Sequence, residues 1–174
     1  MKTKFAFLAL ALVCSLGCLC SCDDYDKPAP VPEESLLINA YYGLTTGSSA
    51  HFAGLVDPDR QTDIVTVAAS ATNSSNFDIV YDSPYWGKAT FTNVKATKVD
   101  GAWTFADADG TISMPRRTPG AEVTYNEYPA TLTNSQVAFI QQGKTSTTTS
   151  TFTVNANLGE RAGIYTLLFT SPKE

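Results

Sequence analysis

Four cysteines crowd into the first stretch of the chain, at Cys14, Cys18, Cys20 and Cys22, and no cysteine follows them. Thiolates build a tetrahedral metal cage only when four ligands converge from separate segments. The chain offers no later cysteine and a single histidine, His51, so no metal site is expected. His51 could act as a base beside an activated nucleophile. Its serine neighbours lie in Gly47-Ser48-Ser49-Ala50, which lacks the Gly-x-Ser-x-Gly elbow, and a solvent-facing residue at a strand start is the expected role. Asp57/Asp59 and Asp107/Asp109 are paired carboxylates, but both pairs fall in turn-like sequence, not across a cleft. Asp107-Ala108-Asp109-Gly110 begins like a calcium loop, yet Thr118 stands where the twelfth-position glutamate is required. No catalytic residue, metal or other cofactor is therefore expected, and the chain reads as non-enzymatic. One aromatic pair stands apart, in Asp82-Ser83-Pro84-Tyr85-Trp86-Gly87. Tyr85 and Trp86 in a Pro/Gly-flanked loop are candidate ligand-binding residues, able to stack on a sugar. Trp86 could equally fold over a barrel end as a lid on the core.

The cysteine cluster has another reading. Lys2 and Lys4 precede an unbroken apolar run from Phe5 to Val13, too short to span a bilayer and shaped like the core of a signal peptide. Leu19-Cys20-Ser21-Cys22 then resembles a bacterial lipobox: an aliphatic residue three places before a cysteine and a small residue immediately before it. Cys22 fits best; bulky residues precede Cys14 and Cys20, and Cys18 has a serine at the aliphatic position. The resemblance implies cleavage before Cys22, a diacylglyceryl thioether on its sulfur and an N-acyl chain such as palmitate on its amine. Stable anchoring takes at least two acyl chains. Residues 1–21 are thus expected to be a lipoprotein signal peptide. Residues 22–35 form a lipidated tether, acidic at Asp23-Asp24-Tyr25-Asp26 and proline-rich at Pro28, Pro30 and Pro32. Prolines at this spacing favour an extended spacer, able to lift a domain about 25–35 Å. The acids after the cysteine resemble the signal that sends lipoproteins of some Gram-negative gut commensals to the cell surface. The expected place is the outer membrane, lipid-anchored, and its exposed side over a periplasm-facing one.

The chain carries 12 basic and 17 acidic side chains, a net charge of −5. Losing Lys2 and Lys4 makes the exported form more acidic still. Such a surface has no basic footprint for nucleic acid and no attraction to anionic head groups. The membrane partner is reached through the anchor.

The elements that must position Tyr85 and Trp86 are all strands. Residues 36–174 hold β-branched and aromatic residues broken by turn signals, with no long helical period. In residues 147–158, Phe152, Val154, Ala156 and Leu158 alternate with Thr151, Thr153, Asn155 and Asn157, the mark of a half-buried antiparallel strand. Residues 164–170 place Tyr165, Leu167 and Phe169 on one face and Ile164 and Leu168 on the other, predicting burial on both. Further strands are expected over 36–42, 51–55, 63–71, 77–81, 88–97, 122–133 and 136–141. Phase slips are expected between Phe91 and Val94 and between Tyr125 and Tyr128, with Pro129 at an edge or bulge. Val99-Asp100-Gly101 and Asp107-Ala108-Asp109-Gly110 read as hairpin turns. Nine or ten strands in sequential order make an all-β antiparallel meander.

Residues 91–112, with an Asp-Gly hairpin, the aromatic strand around Trp103 and Phe105 and a second glycine turn, are similar to the middle of the calycin-like β-barrel lipoproteins of Gram-negative gut bacteria. Tyr128-Pro129-Ala130-Thr131-Leu132 and the closing strands 151–158 and 165–170 match the same pattern. The resemblance implies an up-and-down barrel related in architecture to lipocalins. With no catalytic group found, the expected function is a non-enzymatic binding module for a small apolar ligand or lipid. The alternatives are a protein-interaction or structural subunit with a filled barrel, or a glycan-binding surface lipoprotein.

Overall fold

A computed structural model describes residues 33–142 and 145–171. The expected signal peptide, Cys22 and the expected tether up to Pro32 lie outside the described residues. The compact unit that contains the barrel begins at Glu33.

A 3₁₀ turn, Glu33–Leu37, leads into eleven strands. These are β1 (Asn39–Ser48), β2 (Leu55–Val56), β3 (Asp63–Ala69), β4 (Phe77–Ser83), β5 (Gly87–Val94), β6 (Ala96–Val99), β7 (Ala102–Phe105), β8 (Ala108–Arg116), β9 (Thr124–Gln142), β10 (Thr145–Asn157) and β11 (Ile164–Thr170). Eight of them close a barrel in chain order: β1, β3, β4, β5, β8, β9, β10 and β11. The antiparallel pair β1–β11 completes the circle, in register from Leu44↔Thr170 to Ser48↔Thr166. The expected all-β antiparallel meander is what the chain forms. β2 pairs with the end of β1, and β6 and β7 extend the sheet beyond one barrel end, beside the second half of β9.

Alternation decides what faces in. On β3 and β4, Val65, Val67, Phe77, Ile79 and Tyr81 are buried, while Thr66 and Asp82 are exposed. The same alternation holds around the circle, so the inside is apolar; the outside is mostly polar, with an exposed apolar strip of Tyr42, Leu44, Ile164 and Leu168 on β1 and β11. A strand barrel that spans a bilayer has the opposite arrangement. Eight strands enclose a space that side chains can fill, and here they do so across the lumen. Phe152 of β10 meets Tyr41 of β1 at 5.9 Å between ring centroids, Phe105 of β7 at 5.6 Å and Phe169 of β11 at 6.1 Å. Phe105 in turn meets Phe77 edge-on at 6.0 Å.

Two bulges shift this alternation. On β5 the inward set passes from Phe91 to Val94, and Asn93 takes a positive φ of 59°. This is the slip expected from sequence. The other lies elsewhere than expected. β8 and β9 pair without interruption from Ala108↔Leu132 to Arg116↔Thr124, so no slip separates Tyr125 from Tyr128. Tyr125 instead faces out, 65 % exposed. The bulge falls at Asn134, φ 46°, where the β9–β10 register breaks between Thr151 and Thr153. The hydroxyl of buried Ser135 accepts a hydrogen bond from the Thr153 backbone N–H at 3.3 Å and donates one to the Thr133 carbonyl at 3.0 Å. The bulge thus keeps its polar groups satisfied, and the two strands expected over 122–141 become one.

Other local expectations are corrected. Residues 33–37 form a 3₁₀ turn, so the strand expected from residue 36 begins only at Asn39. Buried Leu37 closes the end from which the chain enters, and the Tyr41 hydroxyl donates to its carbonyl at 3.0 Å. Residues 51–54 are a loop, because the Ser49 N–H bonds the Phe52 carbonyl at 2.8 Å and satisfies the backbone locally. Val99-Asp100-Gly101 is the expected hairpin turn, with φ of 50° at Asp100 and 83° at Gly101. Asp107-Ala108-Asp109-Gly110 is not a turn: β7 and β8 run on in the same direction, both antiparallel to β9. β11 buries only Leu167 and Phe169; Ile164 and Leu168 face outward and are exposed, because alternation turns them away from the lumen. Pro129 lies one residue past the last β9–β10 pair, Ala130↔Ala156, at an edge as expected.

Candidate functional site

The two barrel ends differ. At one, the 3₁₀ turn and the β6–β7 extension cover the core. At the other stands the loop that joins β4 to β5 and carries Tyr85 and Trp86. The loop is wound around Ser83, whose hydroxyl accepts the backbone N–H groups of Tyr85 at 3.3 Å and Trp86 at 3.1 Å. That turn folds the indole back over the barrel. Trp86 is 4 % exposed and stacks on Phe52 at 6.4 Å. Its ring lies against Gly47 of β1, where a Cβ would stand 2.3 Å from Cη2. Only glycine permits that approach. Tyr85 meets the indole edge-on at 4.9 Å, and Phe52 meets Tyr165 edge-on at 5.0 Å. Arg117 ties the loop from outside. It donates to the carbonyls of Pro84 and Tyr85, each at 2.9 Å, and its guanidinium lies 4.8 Å above the Tyr85 ring. Trp86 is therefore part of the lid on the core, and half-buried Tyr85 is held at its rim.

Beneath the lid lies a polar layer. The Tyr81 hydroxyl donates to Thr45 Oγ1 at 3.0 Å, and Ser83 and Asp63 are buried at the same barrel end. Asp63 Oδ1 and Trp86 Nε1 have no hydrogen-bond partner among the described residues. Burial holds the Tyr81 phenol well above its ordinary ionisation range.

Beside the lid the rim is notched. β10 ends at Asn157, whereas β9 continues from Ala130 back to Thr124, still paired to β8. On the far side, β5 pairs with β8 only up to Ser113. The tip of the β8–β9 hairpin thus overhangs the mouth, with one edge of β9 unpaired. Even-numbered residues on both strands face inward there: Met114 and Arg116 on β8, Asn126 and Tyr128 on β9. With Leu158 and Tyr165 they line a cleft of about 340 Å³. Met114 is its buried floor, the two tyrosines are its half-buried walls, and Arg116 and Asn126 lie at its open edge. The Asn126 amide donates to the Tyr128 hydroxyl at 3.4 Å.

The other sequence candidates stay apart. His51 is exposed in the loop after β1. Asp57 is buried as a turn-former, accepting the backbone N–H groups of Asp59 at 2.9 Å and Gln61 at 3.1 Å. Asp109 lies on β8 and accepts from the Thr131 hydroxyl at 3.4 Å. Among the described residues no three of His, Cys, Asp and Glu converge, and no helix is long and apolar enough to cross a membrane. Arg116, Asn126, Tyr128 and Tyr165 were not singled out from sequence. The inward phase shared by Ile112, Met114 and Arg116 was the available signal, but the notch depends on how far β9 outruns β10.

No family model matches the chain, and no curated protein does. Among solved structures it is similar to a crystal structure from Bacteroides fragilis NCTC 9343 described as a "putative outer membrane protein". The two are 17 % identical with a TM-score of 0.54; the match covers 82 % of this chain and 47 % of that one. The chain thus spans about half the length of that protein, and the likeness is one of fold.

Proposed function

We propose that this protein is a lipid-anchored outer-membrane lipoprotein whose barrel is a non-enzymatic binding module held in water. The observation that carries the reading is Leu19-Cys20-Ser21-Cys22, followed by an acidic, proline-rich tether and a barrel with an apolar interior and a mostly polar exterior. A barrel of that kind needs an anchor to stay at a membrane, and Cys22 supplies it. The outer-membrane description of the Bacteroides fragilis structure agrees with this place, and the acids after Cys22 favour the cell surface. The filled lumen favours binding on the outside of the barrel or at its mouth over an apolar ligand held within. Tyr85 belongs to that mouth; Trp86 serves it by holding the lid.

The test is fractionation of the native host. The wild-type chain is expected in the outer membrane, labelled by an alkyne fatty acid and cleaved by protease added to intact cells. Cys22→Ser is expected to lose the label and leave the membrane fraction. A Cys22→Ser chain that stays in the membrane overturns the anchor, and protection from protease in intact cells overturns surface display.

A further inference from the structure

The notch in the rim has the chemistry of a small-ligand site. Its volume of about 340 Å³ lies at the lower end of ligand pockets and suits one sugar ring. The two arginines beside it are used differently. Arg117 is committed to the lid loop through two carbonyls and a ring, whereas Arg116 makes no ion pair or hydrogen bond among the described residues. Alternation turns Arg116 to the face whose cleft Asn126 and Tyr128 also line. A guanidinium binds a carboxylate through two parallel N–H donors. Half-buried Tyr128 and Tyr165 add aromatic surface to the cleft beside Met114 and Leu158.

A long acyl chain needs a deep apolar channel, and the lumen behind Met114 is packed with side chains. Strand addition to the free edge of β9 is blunted, because Pro129 has no backbone donor at the inner end of that edge. What fits is compact, carries one carboxylate, and has hydroxyls on one side and C–H groups on the other. We propose that the cleft lined by Arg116, Asn126, Tyr128 and Tyr165 binds a single carboxylate-bearing sugar, a hexuronate. Arg116 takes the carboxylate, Asn126 a ring hydroxyl, and the tyrosines the apolar face of the ring. This deepens the reading of the domain as a binding module and rests on it.

The test is calorimetric titration of the full chain in detergent micelles with glucuronate, glucose and hexanoate as probes. Glucuronate is expected to bind at least about tenfold more tightly than either of the others. Arg116→Gln is expected to bring glucuronate down to the affinity of glucose. Asn126→Ala is expected to weaken both sugars. Neither exposed side chain supports the core, so both variants are expected to keep the wild-type thermal midpoint. Equal affinity for the three probes, no heat with glucuronate, or a preference that survives Arg116→Gln overturns the proposal. So does displacement of glucuronate by an acidic peptide at lower concentration. Binding is read in micelles whichever compartment the protein occupies, so this result and the Cys22→Ser fractionation stand or fall separately.

Discussion

The contact between Gly47 and Trp86 shows how one residue fixes the closed end of the barrel. The indole lies on the bare backbone of β1, with Phe52 stacked behind it and Ser83 holding its peptide N–H. A methyl group at position 47 would enter the indole ring, and neither the strand nor the stacked ring can yield cheaply. Gly47→Ala is expected to cost about 1–3 kcal/mol in urea denaturation and to shift the tryptophan emission to longer wavelength as the lid lifts. Unchanged stability and emission would mean that the lid adapts freely. From sequence, Tyr85-Trp86 was conspicuous, since two aromatics in a Pro/Gly-flanked loop carry a recognisable alternative of lid or ligand. Gly47 was not, because its role is spatial: nothing in Gly47-Ser48-Ser49-Ala50 says that a ring from a distant loop lies against it.

At the scale of strands, the chain is governed by period and phase. β10 was legible residue by residue, because Phe152, Val154 and Ala156 alternate cleanly with polar partners. The bulge at Asn93 was legible too, since Phe91 and Val94 cannot share a face without an inserted residue. The bulge at Asn134 is not legible, because Tyr125 is large and apolar enough to suggest an inward residue, yet its hairpin tip overhangs into solvent. Asn134 is exposed, in left-handed conformation, and its side chain makes no hydrogen bond among the described residues. Asn134→Gly is expected to leave stability within about 0.5 kcal/mol, and Asn134→Val to lower it by about 1–2 kcal/mol, because a branched Cβ resists positive φ. Denaturation midpoints of the two variants check this; equal midpoints would mean that the bulge carries no backbone constraint. The cleft belongs to this scale as well. It arises from the unequal lengths of β9 and β10, a fact of register that neither strand's sequence reveals alone.

For the whole molecule, circular closure and an aromatic interior set the response to pH. Burial pushes the Tyr41 phenol up to about 12 from its usual 10, and moves Tyr81 in the same direction. Both keep their protons to higher pH when folded than when unfolded, so deprotonation favours unfolding. The stability they carry is whole below pH 10 and is lost as pH rises from there towards 12. Urea midpoints are expected to hold level from pH 7 to 9 and to fall above about 10, with a shallower fall in Tyr41→Phe; a Tyr41→Phe profile as steep as wild type would exclude that phenol as a cause. Closure by β1 and β11 has a kinetic consequence. The other barrel seams join strands that follow closely in sequence, whereas this one joins Leu44 to Thr170. Long-range pairing of this kind forms slowly. During synthesis, β1 is made first and waits longest for its partner. Until β11 emerges, β1 and β10 are bare edges able to pair with any passing strand. Folding is therefore expected to hold a rate-limiting, aggregation-exposed step that ends when the final seam zips.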